Sequence, residues 1–332
     1  MILFAPDSYG GFLTAPEAVA LAQQVQPALI GHPMADGGEG SLATLQWHRG
    51  LRMETVSVSG PYGEPVRARL GHHDGGCFVE TAEACGLRLT PRRSPRQAST
   101  YGVGELLKAA QEPMVIGLGG SATIDGGAGM IAALQGDAPG VSAATLELLS
   151  LQDRLPRLRA TVLLDVQTPL AECSAVFGPQ KGLAQALVSP MSRALLGWGA
   201  TLNRWRERRG QRPLPLDLPG GGAAGGLGFA LAALGATLVP GAAYFARLTA
   251  LRSAIQKADA VVVGEGRLDP SSYQGKAAGV VTELARSAGA AVWAVVGSCQ
   301  AVPPPPLGPD RIIEIGEQDT GAFQDAIRRL IR

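Results

Sequence analysis

The sequence predicts an α/β protein with a doubly wound parallel sheet, interrupted by a second, inserted α/β domain that contains hairpin strands. Apolar strand patterns alternate with helical patterns at both ends of the chain. Residues 54–80 instead show two-residue alternation between Gly- or Pro-containing turns, which is typical of antiparallel hairpins. With 332 residues the chain is long enough for two domains. We expect residues 1–53 and 236–332 to form one domain and residues 54–235 the inserted one.

The first βα unit starts with an apolar strand, Ile2 to Ala5. The segment Thr14-Ala-Pro-Glu17 is a capping box with an early proline, so it predicts the start of a helix. Asp36 and Glu39 precede a second predicted helix over residues 41–47. Their spacing allows both carboxylates to face one cation or one substrate. An alternative explanation is an N-cap aspartate whose capping box is completed by the glutamate.

The remaining elements follow the same patterns. We predict hairpin strands at residues 55–59, 66–70 and 77–80, further strands at 114–118, 160–164, 260–263, 291–296 and 311–315, and helices at 103–110, 192–209, 276–287 and 323–331. The stretch between Asp217 and Arg247 carries no charge and is long enough to span a bilayer. It contains eight glycines, however, and is better interpreted as a glycine-rich loop leading into a buried helix.

The composition excludes several classes of protein. A net charge of +1 gives no electrostatic bias toward nucleic acid or membrane surfaces. The four cysteines have neither metal-ligand spacing nor the density of a disulfide scaffold, so a reducing cytoplasm is expected. The N-terminus lacks a signal-peptide pattern. We expect a cytoplasmic protein without nucleic-acid or membrane partners.

Acidic side chains collect in loops that follow predicted strands. Asp7, Asp36, Asp125, Asp165 and Asp269 all lie in such loops, and Asp36 and Asp125 directly precede glycines. In open α/β sheets ligands bind outside the carboxyl ends of the strands. A shared polar site is therefore expected, although an Asx turn before the nearby proline is an alternative for Asp165.

The central glycine-rich loop, residues 117–127, carries the strongest signal. Its glycines let backbone N–H groups approach an anion, and Ser121 and Thr123 add hydroxyl donors. Asp125 is placed to bind magnesium or to accept a proton. A second glycine-rich segment, residues 220–226, is either another anion cradle or a site of close helix packing.

The placement of the lysines and the scarcity of histidine limit the types of reaction that these loops could catalyse. Only four of the 29 basic residues are lysines, and Lys181 and Lys276 lie in glycine-flanked loops, where a compact ammonium group suits a phosphate. The alternative for Lys181 is a tight turn without a ligand. Histidine is nearly absent from these loops, which argues against a catalytic triad or a zinc site. Carboxylates, glycines, hydroxyls and lysines together indicate magnesium-dependent phosphoryl transfer.

Taken in order, these loops resemble the type 1 glycerate kinase family. The matching segments are Ala5-Pro-Asp-Ser8, Met34-Ala-Asp-Gly-Gly-Glu-Gly40, Thr100-Tyr-Gly-Val-Gly-Glu-Leu106, Gly119-Gly-Ser-Ala-Thr123, Asp125-Gly-Gly-Ala-Gly-Met130, Phe177-Gly-Pro-Gln-Lys-Gly182, Ala223-Ala-Gly-Gly-Leu-Gly228 and Gly264-Glu-Gly-Arg-Leu-Asp269. The resemblance implies a flavodoxin- or Rossmann-like domain interrupted by a second α/β domain. It also implies ATP- and Mg²⁺-dependent phosphorylation of D-glycerate to 2-phosphoglycerate. A homodimer is compatible with it.

With this kinase interpretation, the chemistry of the loops leads us to assign a set of site residues. Catalytic roles are expected for Asp36, Asp165 and Lys276; substrate binding for Asp7, Ser8, Lys181, Glu265 and Arg267; nucleotide or phosphate binding for Gly119, Gly120, Ser121, Thr123, Gly222 and Gly225; and magnesium binding for Glu39, Asp125 and Asp269. In this scheme Asp36 or Asp165 holds or deprotonates the acceptor hydroxyl. Arg267 clamps the glycerate carboxylate.

Three positions depart from the family pattern. Gly10 stands where a lysine is usual, and Ile124 and Thr168 stand where asparagines are usual. These departures motivate one alternative, a non-catalytic or substrate-shifted descendant that binds a small hydroxy acid or a nucleotide. A nicotinamide-dependent oxidoreductase that uses Gly117-Leu-Gly-Gly120 is a weaker alternative, because the full glycine fingerprint and its downstream acid are lacking.

Overall fold

The computed structural model describes residues 1–146, 149–316 and 318–331, and the chain divides into two compact units. Unit 1 comprises Met1–Asp36, Gly40–Gly50 and Pro240–Arg332. Unit 2 comprises Gly37–Glu39 and Leu51–Val239. The N- and C-terminal segments of the chain thus belong to the same unit.

Strands and helices are numbered in chain order. The strands are β1 (Ile2–Pro6), β2 (Ile30–Gly31), β3 (Arg52–Ser59), β4 (Pro65–His73), β5 (Gly76–Glu80), β6 (Met114–Gly117), β7 (Ala160–Leu164), β8 (Thr237–Pro240), β9 (Ala260–Leu268), β10 (Ala291–Cys299) and β11 (Arg311–Glu314). The helices are α1 (Ala15–Val25), α2 (Ser41–Arg49), α3 (Ala82–Cys85), α4 (Tyr101–Ala109), α5 (Ala128–Gln135), α6 (Cys173–Phe177), α7 (Gln185–Arg208), α8 (Ala223–Ala233), α9 (Gly241–Leu248), α10 (Leu251–Ile255), α11 (Ala277–Ser287) and α12 (Thr320–Ile331).

Unit 1 contains a parallel sheet with the order β11-β10-β9-β1-β2. Within this unit the strand order is therefore 2-1-3-4-5, the flavodoxin-like arrangement. The chain reverses direction across the sheet between β1 and β9, and such a switch point is where open α/β sheets bind ligands. One face of the sheet packs in a core that includes Phe4, Val262, Val295 and Phe323. The capping box of α1 is formed as expected, by Thr14 and Glu17.

Unit 2 contains a mixed sheet with the order β3-β4-β5-β6-β7-β8. The pairs β3–β4 and β4–β5 are antiparallel, which confirms the predicted hairpins, whereas β5, β6 and β7 run parallel. Together with unit 1 this confirms an α/β protein that combines a parallel-sheet unit with an inserted unit containing hairpins.

Strand β9 is longer than the sequence predicts, whereas the uncharged stretch forms a buried helix as expected. Strand β9 continues to Leu268, so Glu265 and Arg267 lie on a strand opposite Val296 and Ser298 rather than in the predicted loop. Glycine permits this pairing, because a Cβ on Gly297 would lie 2.4 Å from the Gly266 carbonyl oxygen. The uncharged stretch supplies the fully buried helix α8, and within the described residues no helix is long and apolar enough to cross a membrane.

Candidate active site

Unit 1 places a polar cluster beside the carboxyl end of β1 and the last four residues of β9. We define the unit 1 cluster as Asp7, Asp36, Glu265 and Lys276. Burial raises the pKa of Asp7 well above its usual value, and the Asp36 and Glu265 carboxylates raise it further, while Lys276 opposes them. The Ser8 amide donates a hydrogen bond to Asp7 Oδ1 at 2.7 Å. The predicted residues Asp7, Ser8, Asp36, Glu265 and Lys276 are thus brought together.

Glu265 is a carboxylic acid of this cluster whose pKa lies near neutrality. Burial raises its pKa to about 7, with Ser272 and Lys276 opposing the shift and Asp36 adding to it. Its Oε1 atom is buried and has no hydrogen-bond partner among the residues that the structure describes. Buried polar atoms are normally satisfied, so an unpaired one marks a place for water or a ligand. A carboxyl group with such a pKa can exchange protons at physiological pH.

The other two predicted residues of unit 1 have protein partners. Arg267 is exposed, and its Nε lies 3.2 Å from Asp269 Oδ2. Asp269 Oδ1 also accepts hydrogen bonds from the Ser271 amide (2.8 Å) and hydroxyl (2.6 Å). These bonds lower the pKa of Asp269 and cap the 3₁₀ turn Pro270–Tyr273. Asp269 therefore has a structural role that needs no metal.

Unit 2 places the glycine turn, residues 119–121, directly after β6. A Cβ on Gly119 would lie 2.3 Å from Gly38 Cα, so only glycine allows these two backbones to approach. Gly120 has a φ of +68°, in the left-handed region that favours glycine. The turn is fixed to the segment after α3, because the Leu87 amide donates to the Gly120 carbonyl oxygen at 2.8 Å.

Lys181 reaches this turn from inside unit 2. Its Nζ donates to Ser121 Oγ at 2.9 Å and to the Thr123 carbonyl oxygen at 2.8 Å, and the residue is only 4% exposed. Burial lowers the pKa of Lys181 to about 8, while the nearby groups of Cys173, Cys85, Asp125 and Asp165 oppose the shift. An ammonium group has three donors, and these two bonds use two of them.

A cavity of about 70 Å³ lies beside the glycine turn. It is lined by Leu87, Leu118, Gly119, Gly120, Ser121, Asp165, Val166, Phe177, Gln180, Lys181 and Ala224. Sites for whole small molecules usually measure about 300–1,000 Å³. This cavity therefore has room for one polar group of a larger ligand. Lys181, Ser121 and the glycines of the turn supply donors suited to an anionic group.

The structure gives Asp125 a role that differs from the expected magnesium ligand. The residue is 0% exposed, and its carboxylate accepts hydrogen bonds from the Thr100 amide and hydroxyl (both 2.8 Å), the Gly129 amide (3.1 Å) and the Gly127 amide (3.2 Å). It holds the loop to the starts of α4 and α5. Thr100 is a partner that the loop pattern did not predict, although it lies in one of the matching segments.

Glu39 lies in front of α2 rather than within it. Gly40 is the N-cap residue of that helix, so the capping box considered for Asp36 and Glu39 is not formed. Glu39 Oε1 instead lies 2.6 Å from Arg88 Nε. Burial raises the pKa of Glu39, and Arg88 opposes the shift. Across the described residues, no group of three or more acidic, histidine or cysteine side chains is arranged to hold a metal.

Gly222 and Gly225 are required by close packing. A Cβ on Gly222 would lie 2.4 Å from the Pro169 carbonyl oxygen, and one on Gly225 would lie 2.1 Å from the Thr123 carbonyl oxygen. Gly225 has a φ of +70°, and its carbonyl accepts a hydrogen bond from the Gly126 amide at 3.0 Å. Phosphate binding by these two glycines stays a prediction, whereas their packing role is observed.

We expect Gly225→Ala to destabilise the protein by about 3 kcal/mol or more, because overpacking adds to left-handed strain. Gly210→Ala is the matched control, since Gly210 also has a positive φ (+68°) but no atom within 4 Å of an added Cβ. Urea unfolding of both variants measures the difference. Equal losses of unfolding free energy would contradict the packing argument.

Several known proteins are similar to this chain over most of its length. The family model described as the glycerate kinase family matches residues 2–320. A glycerate kinase of Bacillus subtilis is 36% identical over 328 residues, which cover 90% of this chain and 85% of the relative. A glycerate 2-kinase of Escherichia coli is 34% identical over 331 residues, with the same coverage. A crystal structure assigned to glycerate kinase 2 of Salmonella typhimurium LT2 superimposes with a TM-score of 0.76 at 33% identity, covering 99% of this chain and 95% of that one.

Proposed function

The chain belongs to the glycerate kinase family, and from that premise we propose that it transfers the γ-phosphoryl group of ATP to the 2-hydroxyl of D-glycerate. The observation that carries the nucleotide part is the buried Lys181 ammonium, hydrogen-bonded to the glycine turn beside a small cavity. Burying a charge is costly, so a lysine kept there is best explained by an anionic ligand. Phosphate is the anion that glycine turns and lysines bind most readily.

For the acceptor we assign the unit 1 cluster. Its carboxylates border the switch point of the sheet, and the buried Oε1 atom of Glu265 would be satisfied there by a ligand hydroxyl group. Asp36 is the proposed proton acceptor and Lys276 the neutralising cation. Arg267 is exposed beside this cluster and can pair with the glycerate carboxylate. Asp165, which lines the cavity with Lys181, is the second candidate for the proton acceptor.

We propose that Mg²⁺ accompanies the nucleotide. Mg²⁺ is commonly held by one or two carboxylates together with substrate phosphates, so a preformed cage of three acidic side chains is not required. Glu39 at the glycine turn and Asp165 at the cavity are carboxylates of the right kind. Asp125 and Asp269 fit less well, because their oxygens already accept several protein hydrogen bonds. When bound, the ion would neutralise developing phosphate charge.

A coupled ADP-release assay with D-glycerate tests this proposal. We expect ADP release that requires both D-glycerate and Mg²⁺, and a single product that phosphorus NMR identifies as 2-phosphoglycerate. Nucleotide binding without turnover would instead favour the non-catalytic descendant. Formation of 3-phosphoglycerate would contradict the proposed acceptor hydroxyl.

A further inference from the structure

A second cation, the Arg88 guanidinium, pairs with the carboxylate of Glu39, which lies against the glycine turn, and the roles proposed so far do not involve it. Arg88 directly follows Leu87, a residue that lines the cavity and whose amide donates a hydrogen bond to the Gly120 carbonyl oxygen. Its partner Glu39 touches the same turn, because a Cβ on Gly120 would lie 3.3 Å from both Glu39 Cβ and Glu39 Oε2. Arg88, Glu39 and Gly120 therefore meet at one place in unit 2.

The ion pair between Arg88 and Glu39 adds little to the stability of the fold. The two side chains are 50% and 36% exposed, and ion pairs this open typically contribute about 0–1 kcal/mol. Arg69 in the same unit provides a contrast. It grips Glu83 through both its Nε and its Nη2 atoms, and its amide donates to the same carboxylate. The closest contact of Arg88 with Glu39 is made by Nε, on the side of the guanidinium group rather than at its end.

A carboxylate on a guanidinium group occupies the place that a phosphate would take, because both anions accept paired N–H donors. The Lys181 ammonium group is buried and donates a hydrogen bond to Ser121 of the glycine turn, whereas the Arg88 side chain is half exposed. Two cations at one short turn suit a ligand with adjacent phosphates better than one with a single phosphate. A single phosphate needs only the cavity donors.

Resting on the proposed function, we propose that Arg88 binds the phosphate chain of the nucleotide and that Glu39 occupies its guanidinium in the unliganded protein. The ligand chemistry is therefore a di- or triphosphate chain. Arg88 recognises the number of phosphates rather than the base. Exchange of Glu39 for phosphate on the guanidinium leaves the Glu39 carboxylate available to a cation that travels with the nucleotide.

Titration calorimetry with ADP and with AMP, both with Mg²⁺, tests this proposal. We expect Arg88→Gln to weaken ADP binding by about 10- to 50-fold, as loss of a charge-assisted contact does. AMP binding should change less than about twofold on the same reasoning. Arg69→Gln is the matched control and should leave both affinities unchanged. In EDTA, Glu39→Gln should tighten ADP binding several-fold, because the competing carboxylate is gone.

The outcomes separate this proposal from the proposed function. If wild-type protein binds ADP and turns over D-glycerate, but Arg88→Gln and Arg69→Gln bind ADP alike, the role of Arg88 is wrong and the proposed function stands. An equal loss of ADP and AMP affinity in Arg88→Gln, with an unchanged thermal midpoint, would also overturn recognition of the phosphate number. Wild-type protein that neither binds ADP nor releases it from ATP with D-glycerate would overturn both.

Discussion

Lys181→Met is expected to lower kcat/KM for D-glycerate phosphorylation by about 1,000-fold, the loss typical of removing one preorganised donor to a developing anion. Methionine fills nearly the same volume, but it cannot donate to Ser121 or to a phosphate. Lys108→Met is the matched control, since Lys108 is an exposed lysine of the same unit whose Nζ donates to the Ala133 carbonyl oxygen at 3.3 Å. Steady-state assays should show the control within about twofold of wild type, because Lys108 touches no proposed ligand. Similar losses in both variants would contradict the role of Lys181.

Lys181→Met should also change how the free energy of unfolding depends on pH. The folded protein holds the pKa of Lys181 at about 8, below its usual value of 10.5, so keeping it charged at neutral pH costs about 3 kcal/mol. Between pH 8 and pH 10.5 the unfolded state binds more protons than the folded state, so this cost disappears as the pH rises. Wild type should therefore gain stability relative to Lys181→Met across that range. Urea unfolding at pH 7.5 and pH 10 measures the gain, and an unchanged difference between the two proteins would contradict burial of the charge.

Asp36→Asn should reduce kcat by about 1,000-fold, because the amide keeps the shape of the side chain but accepts no proton from the acceptor hydroxyl. The KM for ATP should change little, since the proposed phosphate contacts lie in unit 2. Asp325→Asn is the control, because Asp325 is an exposed acid of unit 1 that pairs with Arg328 on its own helix.

Asp165→Asn, tested in parallel, decides between the two candidate bases. A large kcat loss in Asp165→Asn together with near-normal turnover in Asp36→Asn would reverse the assignment.

The activity of the wild-type protein should decline as the pH falls below about 7, since Glu265 in the unit 1 cluster becomes protonated there. A rate that is flat down to pH 5 would contradict a working carboxylate cluster.

Features with local causes were predictable from the sequence. The capping box of α1 and the hairpins β3–β4–β5 follow from residues that are neighbours in the chain. The length of β9 was not predictable, because glycines in this segment suggest a loop unless the long partner strand β10 is known.

The site was only partly predictable from the sequence, because several of its contacts join residues that are far apart in the chain. The strand-end loops identified the unit 1 cluster and the glycine turn, since topology places such loops at one edge of a sheet. The role of Asp125 depends on its hydrogen bonds with Thr100, 25 residues away. From the sequence alone, an aspartate that binds a metal cannot be distinguished from one that stabilises a loop. Arg88 gave no signal, because its significance lies in its contact with Glu39, far along the chain.

The position of the bound nucleotide decides whether the glycine turn and Lys181 form the phosphate site. A crystal structure with a non-hydrolysable ATP analogue and Mg²⁺ should place a phosphate oxygen within about 3.2 Å of Lys181 Nζ, at hydrogen-bond distance, and against the backbone of the glycine turn. Phosphates bound away from that turn, with Lys181 still satisfied only by Ser121 and Thr123, would contradict this assignment.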